Sequence, residues 1–190
     1  MSLRIYGNRP LKTVPGRDTR PTPARVREAL FNIWQGDIEG CRWLDLCAGT
    51  GAMSAEALCR GASLVVGIEQ SSRACAVIQH NWQQVATPQQ SIQLVRGNIL
   101  QRLPRLARHP FDRIYFDPPY ASGLYRPALE AIAHHRLLAP NGEIAVEHSP
   151  EILLPETLNS SDADGIDLVQ CRHKVYGGTA LTFYEFYKID

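Results

Sequence analysis

The sequence has no long apolar run. Its apolar stretches, such as Ile144-Ala145-Val146, are far shorter than the run of about 20 residues that a membrane-spanning helix needs. The first residues are polar and arginine-rich, and they lack the apolar core of a secretory signal. We therefore expect a soluble, cytoplasmic protein with no membrane partner.

Cysteines are few, and none forms a C-x-x-C pair. The five thiols are Cys41, Cys47, Cys59, Cys75 and Cys171. Their odd number and irregular spacing fit reduced thiols rather than a disulfide framework, and no cluster of ligand types predicts a metal. Repeats and low-complexity tracts are also absent. With 44% hydrophobic and 21% charged residues, the 190-residue chain fits one globular domain.

The net charge of +1 conceals a basic N-terminal segment. Residues 1–30 contain only two acidic residues, Asp18 and Glu28, against seven basic ones. The basic residues are Arg4, Arg9, Lys12, Arg17, Arg20, Arg25 and Arg27. Of the 20 basic residues in the chain only 3 are lysine, and the planar arginine fork suits phosphates and bases. We expect residues 1–21 to be either a phosphate-binding arm or a solvated tail.

Strand and helix patterns alternate after residue 21, while residues 1–21 predict extended chain or a short hairpin. Thr22 as N-cap and Pro23 as first helical residue predict a helix. Its apolar face would be Val26, Ala29, Leu30, Ile33 and Trp34. Strands are then predicted at 43–47, 64–68, 92–95, 111–116 and 143–148. Helices are predicted up to about Arg60, toward Val85, over Leu100, Leu103 and Leu106, and within 124–138.

The last forty residues break this alternation. Residues 166–174 and 180–188 alternate in polarity around Gly177-Gly178, which predicts an antiparallel hairpin. The whole order predicts an α/β, Rossmann-like fold with a mainly parallel seven-stranded sheet that ends in this hairpin. This is the layout of class I methyltransferases, which use S-adenosylmethionine (SAM). The expected domains are a basic arm at 1–21 and a methyltransferase domain at 22–190.

Ligands of such sheets bind beyond the carboxyl ends of the strands. After the first strand, Ala48-Gly49-Thr50-Gly51 lets the backbone approach a ligand closely, and Asp45 can bind an ammonium group. Ser54 stands where the dinucleotide fingerprint needs a third glycine. At the next two strand ends, Glu69 can accept hydrogen bonds from both ribose hydroxyls, and Asn98 can accept one from an adenine amine.

The fourth strand end carries Asp117-Pro118-Pro119-Tyr120. The two prolines stiffen the backbone, so that carboxylate, carbonyl and ring keep one arrangement. An exocyclic amine on a base is a poor nucleophile, but it is oriented if Asp117 and the Pro118 carbonyl each accept one of its hydrogens. Tyr120 would stack on the base. Alignment for in-line transfer is then most of what the protein must add.

These motifs resemble amino-methyltransferases with an (Asp/Asn/Ser)-Pro-Pro-(Tyr/Phe/Trp) segment. More closely, the chain resembles the bacterial RsmD family, which methylates N2 of a guanine in 16S ribosomal RNA. The segments that carry the resemblance are Arg4-Ile5-Tyr6-Gly7, Arg20-Pro21-Thr22, Arg25-Val26-Arg27-Glu28, Leu30-Phe31-Asn32, 44–51, Glu56-Ala57-Leu58, Arg60-Gly61-Ala62 and 117–120. The stretch from Arg20 to Asn32 is the most specific, because other methyltransferases lack it.

The resemblance implies SAM as cofactor and 16S rRNA, in an assembling small ribosomal subunit, as partner, with guanine 966 as target. It implies a cofactor site of Arg20, Thr22, Asp45, Cys47, Ala48, Gly49, Thr50, Gly51, Glu69, Gln70, Asn98 and Ile99. It also implies catalysis by Asp117, Pro118, Pro119 and Tyr120, and RNA contacts from Arg4, Arg9, Lys12, Arg17, Arg25 and Arg27. Two residues depart from the family pattern. The family usually has Phe or Gly at the position of Cys47, and Asp at the position of Asn98. The amide oxygen of Asn98 can still accept a bond.

The four-residue motif alone does not select guanine. Adenine N6 and a protein glutamine also present a planar NH2 group, so amino-methylation of DNA, RNA or protein is an alternative, although 190 residues leave no room for a DNA target-recognition domain. An NAD(P)-dependent oxidoreductase would explain Gly49, Gly51 and Glu69 but gives 117–120 no role. A degenerate fold that only holds RNA would not need Asp117 and Glu69.

Overall fold

The computed structural model describes residues 3–14, 23–107, 110–159 and 166–188. The chain forms two compact units, Met1–Asn98 and Ile99–Asp190. Within the described ranges, every helix is too short or too polar to cross a membrane.

The first unit begins with a small hairpin. Strand β1 (Leu3–Ile5) pairs antiparallel with β2 (Arg9–Leu11), and a 3-10 turn at Tyr6–Asn8 joins them. Ile5 and Leu11 are buried at 4% and 6% exposure, so the hairpin contributes to the core of this unit. The hairpin expectation is confirmed for residues 3–11. Residues 15–22, with the predicted N-cap Thr22, lie outside the described residues.

Helix α1 (Ala24–Ile33) begins one residue later than predicted. The φ of Pro23 suits a helix, but its ψ of 136° is extended, so Pro23 caps the helix instead of starting it. Its carbonyl accepts the N–H groups of Val26 and Arg27 at 2.9 and 3.1 Å. The helix buries Val26, Leu30 and Phe31 as apolar residues, and Phe31 stacks on Trp43 with ring centroids 5.6 Å apart.

Three parallel strands follow, connected by two helices. They are β3 (Arg42–Leu46), β4 (Leu64–Glu69) and β5 (Ser91–Arg96), with α2 (Ala52–Cys59) and α3 (Ser72–Val85) between them. The order β5-β4-β3 aligns Leu44 with Val66, and Val66 with Gln93. Helix α3 is capped by Ser71, whose hydroxyl accepts the Ala74 N–H at 3.3 Å. These elements match the predicted ones to within a residue or two at most ends.

The described residues of the second unit form two α-helices and five strands, with a 3-10 turn at Leu103–Leu106. They are α4 (Ile99–Arg102), β6 (Phe111–Phe116), α5 (Tyr125–His134), β7 (Leu138–His148), β8 (Thr157–Leu158), β9 (Ile166–Tyr176) and β10 (Thr179–Lys188). Strands β6 and β7 are parallel, with Phe116 opposite Val146. Strand β10 then pairs antiparallel with both β7 and β9, so the predicted C-terminal hairpin is confirmed.

Two features of the second unit differ from the sequence expectation. Strand β7 begins at Leu138, opposite Phe111, whereas the predicted strand began at Glu143; residues 139–142 bulge out before pairing resumes at Glu143. A short eighth strand, β8, pairs antiparallel with β9 near Leu168, in a stretch whose polar residues gave no strand pattern. Apart from β1 and β2, the described residues therefore form eight strands, first parallel and then antiparallel, where seven had been predicted.

A buried carboxylate organises the charged residues of the first unit. Glu56 is 2% exposed, and its Oε2 accepts a bond from Arg27 Nε at 2.6 Å. Its Oε1 accepts from Arg60 Nη2 at 2.8 Å. Arg27 also donates to the Arg4 carbonyl at 2.7 Å, which connects α1 to the hairpin. Removing the carboxylate would leave Arg27 buried without its counter-charge.

We expect Glu56→Ala to lower the free energy of unfolding by about 3 kcal/mol, because breaking a buried ion pair strands the other charge. Urea unfolding measures this change. Arg126→Ala is the matched control: Arg126 forms an i,i+4 pair with Glu130 at 3.4 Å, but both side chains are more than half exposed, so the loss should stay below about 0.5 kcal/mol. Equal losses in the two variants would contradict the account.

Candidate active site

The loop that follows β3 turns sharply into α2. Cys47, Gly49 and Gly51 adopt left-handed φ values of 64°, 57° and 72°, and the Gly51 N–H bonds to the Ala48 carbonyl at 2.7 Å. Glycine takes this conformation freely, whereas a residue with a Cβ pays about 1 kcal/mol for it. Cys47 is therefore a strained position that the surrounding contacts must hold.

Gly49 and Gly51 differ in the space that a Cβ atom would have at each position. A Cβ at Gly51 would lie 2.6 Å from Trp82 Nε1, so the tryptophan occupies the space of a side chain. A Cβ at Gly49 would meet only the Cys47 carbonyl oxygen, at 3.9 Å. The backbone at Gly49 therefore borders space that a ligand could fill.

Three side chains from other elements hold the loop. Glu69 Oε2 accepts the Gly49 N–H at 2.9 Å. Asn81 Nδ2 donates to the Thr50 carbonyl at 2.9 Å, and Trp82 Nε1 donates to the Gly51 carbonyl at 3.0 Å. Asn81 and Trp82 belong to α3, and neither was predicted from the sequence. The sequence pattern of α3 indicates only a buried apolar face. The polar residue Asn81 on that face is the one sequence feature that could have pointed to a hydrogen-bonding role.

Glu69 lies at the end of β4, as predicted. Its second oxygen accepts the Ser71 N–H at 2.8 Å, and its carbonyl accepts the Gly97 N–H at 2.9 Å. Both carboxylate oxygens thus have a backbone donor, which fixes the orientation of the side chain. A carboxylate has about four acceptor sites, so each oxygen can still accept one hydroxyl of a ribose.

Asp45 lies on β3 and is only 1% exposed. Its Oδ2 accepts the Ser54 hydroxyl at 2.6 Å. Burial raises the pKa of the Asp45 carboxyl to about 7; the Ser54 hydrogen bond opposes this shift, and the charge of Glu69 adds to it. A cation beside this carboxyl would favour its charged form. The group is therefore chemically suited to an ammonium ligand.

The remaining predicted cofactor residues are distributed around these strand ends. Gln70 is exposed directly after β4, and Asn98 is half-buried two residues after β5. Ile99 is buried and begins α4 in the second unit. Ala48 and Thr50 are buried within the loop. Arg20 and Thr22 lie outside the described residues.

In the second unit, Asp117-Pro118-Pro119-Tyr120 directly follows the carboxyl end of β6. Asp117 is half-buried, Pro118 is buried, and Tyr120 is 43% exposed. The Pro119 carbonyl accepts the Ser122 N–H at 2.8 Å, which closes a turn after the prolines. The segment therefore places a carboxylate and an accessible aromatic ring on either side of two prolines, after the carboxyl end of β6.

The strands beside this segment are tied by buried polar contacts that the sequence did not reveal. The Tyr115 hydroxyl donates to Glu147 Oε2 at 2.5 Å, and the Tyr125 hydroxyl donates to the Glu147 carbonyl at 3.3 Å. The Tyr125 ring also packs edge-on against Phe116, the residue before Asp117. These contacts fix the last residues of β6 and β7, and with them the start of the motif.

A second polar chain crosses β7, β10 and β9. Thr182 Oγ1 lies 2.7 Å from His148 Nε2 and 2.8 Å from His173 Nδ1. His148 Nδ1 lies 2.8 Å from the Ser149 carbonyl, which can only accept, so this nitrogen carries a hydrogen. Burial lowers the pKa of His148. The lowered pKa therefore favours the neutral form of His148 at the end of β7.

The predicted RNA-binding residues have different environments. Arg4, Arg9, Lys12 and Arg25 are exposed, as a phosphate contact requires. Arg17 lies outside the described residues. Arg27 is 4% exposed and bound to Glu56 and to the Arg4 carbonyl, so the structure contradicts its assignment to RNA. A basic residue of a helix can be buried when it pairs with a buried carboxylate, as Arg27 does with Glu56. The sequence pattern around Arg27 does not identify that partner.

Among the described residues, no group of three or more histidine, cysteine, aspartate or glutamate side chains is arranged to hold a metal ion.

Comparisons with known proteins agree with this architecture. A protein-family model described as Conserved hypothetical protein 95 matches residues 3–185. YlbH of Bacillus subtilis (strain 168) is 32% identical over 179 residues, which is 93% of each chain. Ribosomal RNA small subunit methyltransferase D of Escherichia coli (strain K12) is 33% identical over 160 residues, covering 80% of this chain and 78% of the relative.

Solved structures show the same fold. The structure of yhhF from Escherichia coli is 30% identical and covers 97% of both chains with a TM-score of 0.78. SMU.776, solved in complex with SAH, is 17% identical and covers 85% of this chain and 48% of that one, with a TM-score of 0.59. The second likeness concerns the fold alone.

The α/β fold and these likenesses define the class of the protein, which is that of SAM-dependent methyltransferases. Within that class, the chain belongs to the Conserved hypothetical protein 95 family, the RsmD family. The predicted fold class and family are thereby confirmed.

The raised pKa of Asp45 predicts a pH-dependent stability. Between about pH 4 and 7 the folded protein keeps a proton on Asp45 that the unfolded chain has lost, so the stability that this group contributes falls as the pH rises through this window. Asp45→Asn removes this titration. Without SAM, the free energy of unfolding of the variant should rise relative to that of the wild type by up to about 1.4 kcal/mol for each pH unit of the window.

Urea unfolding of both proteins across this pH range gives the difference directly. The two curves share all other titrating groups, so only their difference is interpreted. A difference that stays constant from about pH 4 to about pH 8 would show that Asp45 is not the group whose burial favours the proton.

Proposed function

We propose that this protein transfers a methyl group from SAM to the exocyclic N2 amine of a guanine in 16S ribosomal RNA, within an assembling small ribosomal subunit. The observation that carries the proposal is the Asp117–Tyr120 segment, a carboxylate and an exposed ring on a proline-stiffened turn after a parallel strand. The names of relatives from Escherichia coli and Haemophilus influenzae, Ribosomal RNA small subunit methyltransferase D, support ribosomal RNA as substrate. By resemblance to the family, the target is guanine 966.

The residues of the first unit fit SAM. In the proposal, Asp45 binds the ammonium of the methionine part, because a cation beside this buried carboxyl would stabilise its charged form. Glu69 accepts the ribose hydroxyls with the lone pairs that its two backbone donors leave. The backbone at Gly49 borders the ligand, and Asn98 accepts the adenine amine. The bound sulfonium supplies an electrophilic methyl group.

The residues of the second unit suit the amine. Asp117 accepts one hydrogen of the guanine N2 group and the Pro118 carbonyl accepts the other, which directs the nitrogen lone pair toward the methyl group. Tyr120 stacks on the base and holds its plane. This orientation accounts for most of the acceleration, because the methyl group is already activated and needs a nucleophile in line. The proton that the amine loses on methylation passes to the Asp117 carboxylate, which then releases it to solvent.

The exposed basic residues of the first unit suit the RNA backbone. Arg4, Arg9, Lys12 and Arg25 can neutralise phosphates, and such contacts make affinity fall with salt. Arg27 is not included, since it is buried against Glu56. Arg17 remains a proposed contact from the sequence alone.

A panel of methyl acceptors tests the proposal. The purified protein, with labelled SAM, should methylate small ribosomal subunits or their RNA, and digestion of the product should yield N2-methylguanosine. DNA and a glutamine-containing release factor are the alternative acceptors, because each presents a planar amide or amine group. Labelling of DNA or protein alone, or N6-methyladenosine as the RNA product, would overturn the choice of guanine.

Asp117→Ala should reduce methyl transfer by at least about a hundredfold, because the amine loses one of the two acceptors that align it. SAM affinity should change by less than about threefold, since the side chain is proposed to touch the base rather than the cofactor. Single-turnover kinetics and calorimetry measure the two quantities. The matched control is Asp45→Asn, in which SAM affinity should fall more than it does in Asp117→Ala. A reversed pattern would exchange the roles of the two aspartates.

A further inference from the structure

The hairpin turn Tyr6–Asn8 presents an aromatic ring to solvent. Tyr6 is 52% exposed, although its neighbour Ile5 is buried. Gly7 and Asn8 have left-handed φ values of 69° and 60°, a combination that glycine and asparagine tolerate best. Two successive residues of this kind make a tight turn. The ring is therefore attached to a folded hairpin and not to an extended tail.

A fixed guanidinium group supports this ring. The Arg60 Cζ atom lies 4.5 Å from the centroid of the Tyr6 ring and 4.8 Å from that of the buried Phe31. Arg60 donates to Glu56 Oε1 from both Nε and Nη2, at 3.2 and 2.8 Å. The order from the core outward is thus Phe31, Arg60 and Tyr6. The cation holds the ring in place, and the exposed half of Tyr6 faces solvent.

Two further guanidinium groups lie around the same turn. Arg4 Nη1 donates to the Asn8 carbonyl at 2.9 Å. Arg9 Nε would lie 3.9 Å from a Cβ at Gly7, and Arg9 Nη1 donates to Cys59 Sγ at 3.3 Å. Both side chains are exposed. An arginine has five N–H donors, so each retains donors for an anion after these contacts.

We infer that the Tyr6 turn is a stacking site for an unpaired nucleobase of the substrate, with Arg4 and Arg9 binding the phosphates beside it. The inference rests on the proposed function for the identity of the substrate as RNA. Every base has a π face, so such a site adds affinity without choosing a sequence. It would hold the RNA at a second point, apart from the guanine that is methylated.

The test uses a short single-stranded RNA that contains 2-aminopurine, whose fluorescence changes when it stacks. Tyr6→Leu keeps an apolar side chain but removes the ring, and we expect it to weaken RNA affinity about tenfold and to abolish the fluorescence change. Tyr6→Phe keeps the ring and should bind within about twofold of the wild type. Because Tyr6 is exposed, both variants should keep the wild-type unfolding midpoint and affinity for SAH.

Three outcomes would overturn the inference. They are wild-type affinity in Tyr6→Leu, an equal loss in Tyr6→Phe and Tyr6→Leu, and no fluorescence change with the wild-type protein. Methylation by the wild-type protein separates this inference from the proposed function. If small subunits are methylated and Tyr6→Leu binds normally, only the stacking site fails. If they are not methylated, the proposed function fails whatever Tyr6 does.

Discussion

The loop from Cys47 to Gly51 is held at three successive residues, and the proposed SAM site of the first unit depends on these contacts. Glu69, Asn81 and Trp82 bind the backbone of Gly49, Thr50 and Gly51 in turn. Three left-handed residues in five would not persist in an isolated peptide. The contacts from β4 and α3 compensate for this strain, and a Cβ at Gly49 would still meet only the Cys47 carbonyl oxygen.

The same helix that holds the loop also reaches the N-terminal hairpin. Asn81 accepts the Lys12 N–H at 2.9 Å and donates to the Lys12 carbonyl at 3.0 Å. One buried amide thus binds the glycine loop and the end of the basic hairpin. Glu56 forms a second connection through Arg27 to Arg4. The surface proposed for RNA and the loop proposed for SAM are therefore parts of one hydrogen-bonded unit.

Local chemistry in the sequence was enough to predict most of the elements and the strand-end residues. The glycine loop, Glu69 and Asp117–Tyr120 were found because turn and ligand chemistry is encoded in neighbouring residues. Asn81, Trp82 and Glu147 were missed because their roles arise from contacts with partners about 30 positions away. The burial of Arg27 and the short strand β8 escaped prediction for a related reason: each depends on a partner that polarity patterns do not identify.

Mass spectrometry of ribosomal RNA nucleosides, from cells with and without the gene for this protein, tests the central claim most directly. The account predicts that one N2-methylguanosine disappears from the small-subunit RNA when the gene is absent and returns when it is restored. A nucleoside profile of that RNA that does not change when the gene is absent would contradict it.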